Sequence, residues 1–158
     1  GWSVQRFGEF SHNSRRPRIM ASILKVDTIT GVATAGSIAI TGEGNSTTTN
    51  LQQGLAKAWV NFNGTSTLAI SDSFNMASVT DNGTGNYTPV STNSMGNTNY
   101  SFSLAGREQS GGNGGYMGLN DSDNQTASGF QIRCRQGTSE GTGDDRALVT
   151  TAYFGDLA

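Results

Sequence analysis

Residues 58–88 read AWVNFNGTSTLAISDSFNMASVTDNGTGNYT. Ala58, Val60 and Phe62 alternate with Trp59, Asn61 and Asn63, the two-residue period of a half-buried strand. Asn63-Gly64 follows, the dipeptide that most readily takes positive φ at a tight turn. Leu68 and Ile70 then alternate with Thr67 and Ala69 in a second strand, and Phe74, Met76 and Val79 keep apolar side chains coming. Asp81 to Asn86, DNGTGN, does not suit a sheet interior and reads as a hairpin tip before Tyr87. The stretch is the start of a small antiparallel β domain.

Downstream the same pattern continues. Tyr100, Phe102 and Leu104 alternate with Asn99, Ser101 and Ser103, the cleanest strand in the chain. Arg107 to Gly115 is a glycine-rich loop, Tyr116 to Leu119 a short strand and Asn120 to Thr126 a polar loop. Phe130, Ile132 and Cys134 point one way, Gln131, Arg133 and Arg135 the other. Gln136 to Asp145 reads as a second flexible, acidic loop. Ala147 to Phe154 is apolar on both faces, as expected of a central or intersubunit strand. Short strands at regular spacing with turns between them predict an all-β fold, an antiparallel β-sandwich-like domain over residues 58–158. Its expected core is Val60, Phe62, Leu68, Ile70, Tyr100, Phe102, Leu104, Phe130, Ile132, Val149 and Phe154.

Upstream the composition changes. Residues 1–19 hold four arginines against one glutamate, together with the single histidine. Met20-Ala21-Ser22 resembles a translation start, so 1–19 reads as an over-extended reading frame or an expression remnant, and otherwise as a basic docking arm. Residues 20–57 form an attachment and oligomerisation segment. A weakly alternating strand at Ile23–Ile29 and a second at Ser37–Thr41 predict a hairpin, marginal in water without a partner surface. Gly42 to Thr49 is a polar linker. Asn50 caps a short helix from Leu51 to about Lys57, too short to persist unpacked. Three copies around an axis would bury Leu51 and Leu55; a single turn capping its own β domain is the other reading.

Glycine, serine, threonine and asparagine make up nearly half the chain, and only 34% is hydrophobic, so the core is thin and turns are many. Residues 20–158 carry six basic and eleven acidic side chains, a balance that argues against nucleic-acid binding. No apolar run approaches the ~20 residues of a membrane span. One cysteine leaves no internal disulfide, and Cys134 sits at an inward strand position as a small core residue. Without a histidine in the body, Ser-His-Asp and Cys-His catalysis are excluded. Asp121/Asp123 and Asp144/Asp145 lie in Gly/Ser-rich loops without apolar neighbours to raise a carboxyl pKa, so no glycosidase pair is expected. Asp121-x-Asp123 makes only a weak calcium-loop signal, because position twelve is Ile132 and the central glycine is missing. Gly111 to Gly115 has neither the Lys-Ser/Thr nor the helix of a phosphate loop. The chain therefore reads as neither an enzyme nor a cofactor or metal binder.

What remains is a surface suited to contact. Trp59, Tyr87, Tyr100 and Tyr116 are amphipathic rings; those not in the core suit stacking on sugars, with Asn and Asp side chains bonding hydroxyls. The polar loops are the expected place for such contacts. Arg107, Asn113, Tyr116, Asp121, Asp123, Asp144 and Asp145 are the candidate ligand-contact residues, and Leu51 and Leu55 the candidate oligomerisation residues.

WVNFNGT (59–65), SFN (73–75), VTDNGTGNYT (79–88), MGNTNYSFS (95–103) and YFGD (153–156) resemble a family of small structural proteins of marine and cyanobacterial phages, carried on tail fibres or related virion appendages. VDTITG (26–31), AGSI (35–38), TGEG (41–44) and TTTNLQQGLAKAW (47–59) are similar too. Pro89 departs from the family pattern by removing a ladder donor, and is expected at a sheet edge or end. The resemblance implies a virion protein assembled in the host cytoplasm, with an attachment role and three copies per assembly. A homotrimer also suits a thin monomer core. Residues 22–57 are expected to join other virion proteins, and residues 107–126 and 136–145 to face a host-surface polysaccharide. The alternative is a capsid decoration or cement protein that binds no host ligand.

Overall fold

The computed structural model of the chain describes residues 23–31, 38–42, 47–107, 115–120, 125–137 and 139–158, with the side chains of 139–141 excepted. The chain divides into two units, Gly1–Thr30 and Gly31–Ala158. In the first, residues 23–30 form no strand, and Ile23, Leu24, Val26 and Ile29 are exposed. The strand expected at Ile23–Ile29, the first of the hairpin, is therefore not formed. In the second unit, β1 (Ala39–Thr41) pairs instead with β2 (Thr48–Asn50), inside the stretch expected to be linker. The reason is local: three consecutive β-branched threonines favour an extended backbone, and Gly42 N donates to Thr47 O to close the pair (2.8 Å).

Asn50 then caps α1 (Leu51–Gly54), its Oδ1 accepting from Gln52 N (2.8 Å) and Gln53 N (3.2 Å). The helix is one turn long and ends short of Lys57, because Leu55 is already extended. Lys57 Nζ turns back to donate to the carbonyls of Gln52, which also accepts from Leu55 N (3.3 Å), and of Leu55, just past the helix end.

Nine strands follow: β3 (Ala58–Asn63), β4 (Ala69–Phe74), β5 (Met76–Asp81), β6 (Asn86–Ser91), β7 (Ser101–Gly106), β8 (Tyr116–Leu119), β9 (Ile132–Gln136), β10 (Ser139–Gly143) and β11 (Val149–Phe154). They form two antiparallel sheets, ordered β4-β3-β11-β7 and β10-β9-β6-β5, with β8 also pairing β9. The last strand, β11, is central, hydrogen-bonded to β3 on one side and β7 on the other. β4 passes to β5, in the other sheet, through one residue, Asn75, whose φ of 54° turns the corner. Its side chain holds that corner, donating to Lys57 O (2.9 Å) and accepting from Asn93 N (2.9 Å).

One core lies between the sheets. Ala58, Val60 and Phe62 of β3 and Val149, Thr151 and Tyr153 of β11 point into it, against Tyr87 of β6 and Ile132 and Cys134 of β9. Rings cross the interface: Phe62 meets Tyr87 edge-on (5.1 Å), and Phe102, Phe130, Tyr153 and Tyr100 form a chain of contacts at 4.3, 5.1 and 5.4 Å. Tyr153 OH donates to Pro89 O (3.3 Å), a polar tie from one sheet to the other.

Six of the expected core residues are buried: Val60, Phe62, Tyr100, Phe130, Ile132 and Val149. Leu68, Phe102 and Leu104 pack partly buried against them. Two expectations fail. Ile70 is 43% exposed, because β4 is an edge strand whose pairing slips by a bulge between Asn61 and Phe62. Phe154 points outward and Tyr153 takes its place, since Thr151, not Ala152, is the inward residue; its Oγ1 donates to Ser103 O (2.8 Å) and so tolerates burial.

Two elements also differ. Pro89 lies in β6, an interior strand, not at an edge. The β6–β9 ladder covers only Asn86 and Tyr87, and the next bridge on that side is Val90 with Gly129, so the missing N–H falls in a gap. Within the expected acidic loop at 136–145, β10 pairs back onto β9 through a bulge.

The buried acids set the alkaline limit of stability. Burial, then the Asp145 carboxylate that accepts its hydroxyl, pushes Tyr87 far above the ordinary tyrosine value. Burial also raises Tyr153, and carries Tyr100 up to about 12 and Cys134 up to about 11. In the unfolded chain these groups lose protons first, from about pH 9 for the thiol and about pH 10 for the phenols. Their contribution is complete below about pH 9 and is lost as pH rises toward the folded-state values. Urea midpoints should hold steady up to about pH 9 and fall continuously from there to about pH 11; a flat profile across that span contradicts the assignment.

A contact pole and its buried anchor

Strand register sorts the molecule into two ends. Ala58 lies opposite Tyr153, Trp59 opposite Phe74, and Phe154 opposite Ser101. This is the proximal pole, where residues 51–57 run into the sheet and Lys57 N donates to Tyr153 O (2.8 Å). At the other end Phe62 lies opposite Val149, and Val149 opposite Gly106. The distal pole therefore gathers Gly64, the 81–86 tip, the start of the 107–115 loop and residues 144–148.

The distal pole is tied down from beneath. Arg146 is 3% exposed, and its Nε lies 2.9 Å from Asp144 Oδ2, an ion pair in which the N–H points off the oxygen. Arg146 Nη2 donates to Arg135 O (3.0 Å) and Nη1 to Arg107 O (3.3 Å). The guanidinium also packs on Gly115, where a Cβ would collide with Nη2. One side chain thus holds both ends of the 107–115 loop. Its own backbone carbonyl accepts from Gly64 N (2.8 Å).

Asp145 does the same for the 81–86 tip. Its Oδ1 accepts from Gly85 N (2.7 Å) and Tyr87 OH (2.6 Å). Gly85, at φ 68°, sits against the Cys134 carbonyl and the Asp144 amide, with no room for a Cβ. Gly83 N donates to Asp81 Oδ1 (2.9 Å), and Asn86 N to Gly83 O (2.8 Å).

The expected contact residues divide accordingly. Arg107 is exposed at the end of β7, and Tyr116, 49% exposed, opens β8 opposite Arg135; both are at the distal pole. Asp144 is buried in its ion pair and Asp145 is half-buried with both its partners internal, so neither is a free loop-tip carboxylate. Asn113, Asp121 and Asp123 lie outside the described residues. Of the 120–126 loop, Gln125 and Thr126 lie away from Arg107. Gln125 Nε2 donates to Thr98 O (2.9 Å) and Tyr100 OH to Thr126 O (3.0 Å), which places these two residues at the proximal pole. Tyr87 and Tyr100 are core residues and Trp59 is half-buried on the outer face.

Leu51 is half-buried, whereas Leu55 is 54% exposed. Leu55 lines an open cleft at the proximal pole with Gln52, Lys57, Asp156 and Leu157. The anchoring role of Arg146 escapes sequence reading, since its partners lie up to 39 residues away and two of them are backbone carbonyls. Compared with protein-family models, curated proteins and solved structures, the chain finds no match.

Proposed function

We propose that the chain is a phage virion structural protein, a fibre or appendage component that assembles as a homotrimer. Residues 22–57 join it to the particle, and the distal pole faces the host surface, where Arg107 and Tyr116 stand ready for a polysaccharide. The observation that carries this reading is the separation of the two poles. Residues 51–57 enter the sheet at the end where Ala58 lies opposite Tyr153, while Arg107 and residues 144–148 lie at the end where Val149 is opposite Phe62 and Gly106, which supports a joining end and a contact end. The sequence resemblance supplies the virion setting.

Two variants test the polarity. Deleting residues 1–57 should leave a folded β domain that is no longer incorporated into particles. Replacing residues 108–114 with a short Gly-Ser linker should spare incorporation and weaken cell binding. The swap should be mild for stability, since closure entropy changes by only ~0.6 kcal/mol per doubling of loop length. Incorporation scored on purified particles and binding scored on host cells check both. A loop swap that blocks incorporation while the truncation does not would reverse the assignment. Labelled chain on the capsid shell, with no cell binding by the isolated domain, would favour the decoration reading.

A further inference from the structure

We infer that the proximal pole is a homotypic interface, covered by a second copy of this chain; the inference rests on the oligomeric reading above and assigns it a face. Three segments distant in sequence bring large apolar side chains there. Leu55 follows α1, Phe74 ends β4 and Leu157 follows β11, at 54%, 54% and 44% exposed. Leu55 and Leu157 line one cleft. Phe74 lies opposite Trp59 in the register, and its neighbour Asn75 is bonded to Lys57 O beside that cleft. Trp59 and Phe154, half-buried on the outward face of the central strands, extend the patch. The ring contacts among Phe62, Tyr87, Phe102, Phe130, Tyr153 and Tyr100 lie in the core, and neither Trp59 nor Phe74 takes part in one.

The occupant follows from the charge. The cleft holds one cation, Lys57, and one anion, Asp156, at its apolar rim. A strongly charged partner would be poorly matched. A second copy is matched, because a symmetric contact brings Lys57 of one chain toward Asp156 of the next while the leucines and aromatics bury each other. The edge strand β4 adds a second reason. All six of its residues are exposed, and its edge carries only Asp72 as a charge. An exposed edge of six residues with a single charge pairs with other chains unless something covers it.

Light scattering and sedimentation on the full chain give the first reading. A multiple of 16.5 kDa at micromolar concentration is expected, and a monomer mass overturns the inference. Leu55→Asp and Phe74→Asp should each raise the dissociation constant by about tenfold or more, the range of a central interface residue. Tyr116→Asp, at the distal pole, should leave it unchanged. Unaltered mass in both proximal variants overturns the assignment of the face. A measurement on the unmutated chain guards against misfolded variants: in a mixture of isotopically light and heavy chains, carbodiimide should produce mixed-isotope Lys57–Asp156 cross-links. Their absence from an oligomeric sample also overturns it. A monomer mass removes the homotrimer with the interface, whereas an oligomer that the proximal variants leave unaltered removes only the face; the virion location is read separately, by particle localisation.

Discussion

Arg146→Ala should lose about 3–5 kcal/mol of stability, a large share of what a domain of this size possesses. The substitution does three things at once. It leaves the Asp144 carboxylate, 6% exposed, without its counter-charge. It strips a donor from the carbonyls of Arg135 and Arg107. It opens a void against Gly115. Chemical denaturation followed by tryptophan fluorescence measures the loss. The double variant Asp144→Ala/Arg146→Met should recover part of it, because removing both charges costs less than stranding one. If the single variant costs under about 1 kcal/mol, the ion pair behaves like a surface pair and the anchor is misassigned. The same variant should loosen the base of the 107–115 loop, so amide exchange at Arg107 and Gly115 should speed up before the core opens.

Phe130→Ala should cost a similar amount, about 3–5 kcal/mol, for a different reason. Phe130 is 1% exposed and lies in the middle of the ring chain, 4.3 Å from Phe102 and 5.1 Å from Tyr153. Truncation removes buried area and also breaks the chain of contacts that joins β7 to β11 through the second sheet. The melting temperature should drop by on the order of ten degrees. Phe130→Leu keeps part of the volume and should lose clearly less. Equal losses for the two variants would mean that the volume leucine retains contributes nothing, and that the loss comes from the ring contacts alone.

Much of this fold is written in period two. Residues 58–63 alternate because they face a core on one side only, and 81–86 stand out because glycine and asparagine accept the tight geometry of a tip. Tyr100, Phe102 and Leu104 were legible in the same way, as was the central placing of the last strand. The illegible parts have physical causes. β10 carries SEGTG, which offers backbone hydrogen bonds and no apolar face, so no pattern marks it. In VTTAYF both parities hold an aromatic, and the bonds that let Thr151 and Tyr153 go inward, to Ser103 O and Pro89 O, are made by residues far away in sequence. Asp144 and Asp145 look like loop-tip acids until the fold brings Arg146 back over two distant carbonyls and Tyr87 across 58 residues. Of the candidate contact residues that are described, only Arg107 and Tyr116 are exposed, as their loop setting suggests. The proximal patch was legible in Leu55 alone, since Phe74 and Leu157 reach it through pairing.

The placement of β3 between β4 and β11 also governs how the protein bears force. A pull along β3 from its Ala58 end runs parallel to the strand and perpendicular to its ladder bonds. Both ladders, Trp59 to Asn63 against β4 and Ala58 to Phe62 against β11, are then loaded in shear and must yield together. Pulling Ala58 away from Phe154 is different. The two strands end side by side at the same pole, so the bonds between them break one at a time, like a zipper. A particle held through residues upstream of Ala58 and resisted at the distal pole would load the molecule in its strong direction. Tension between the two chain ends would find the weak one.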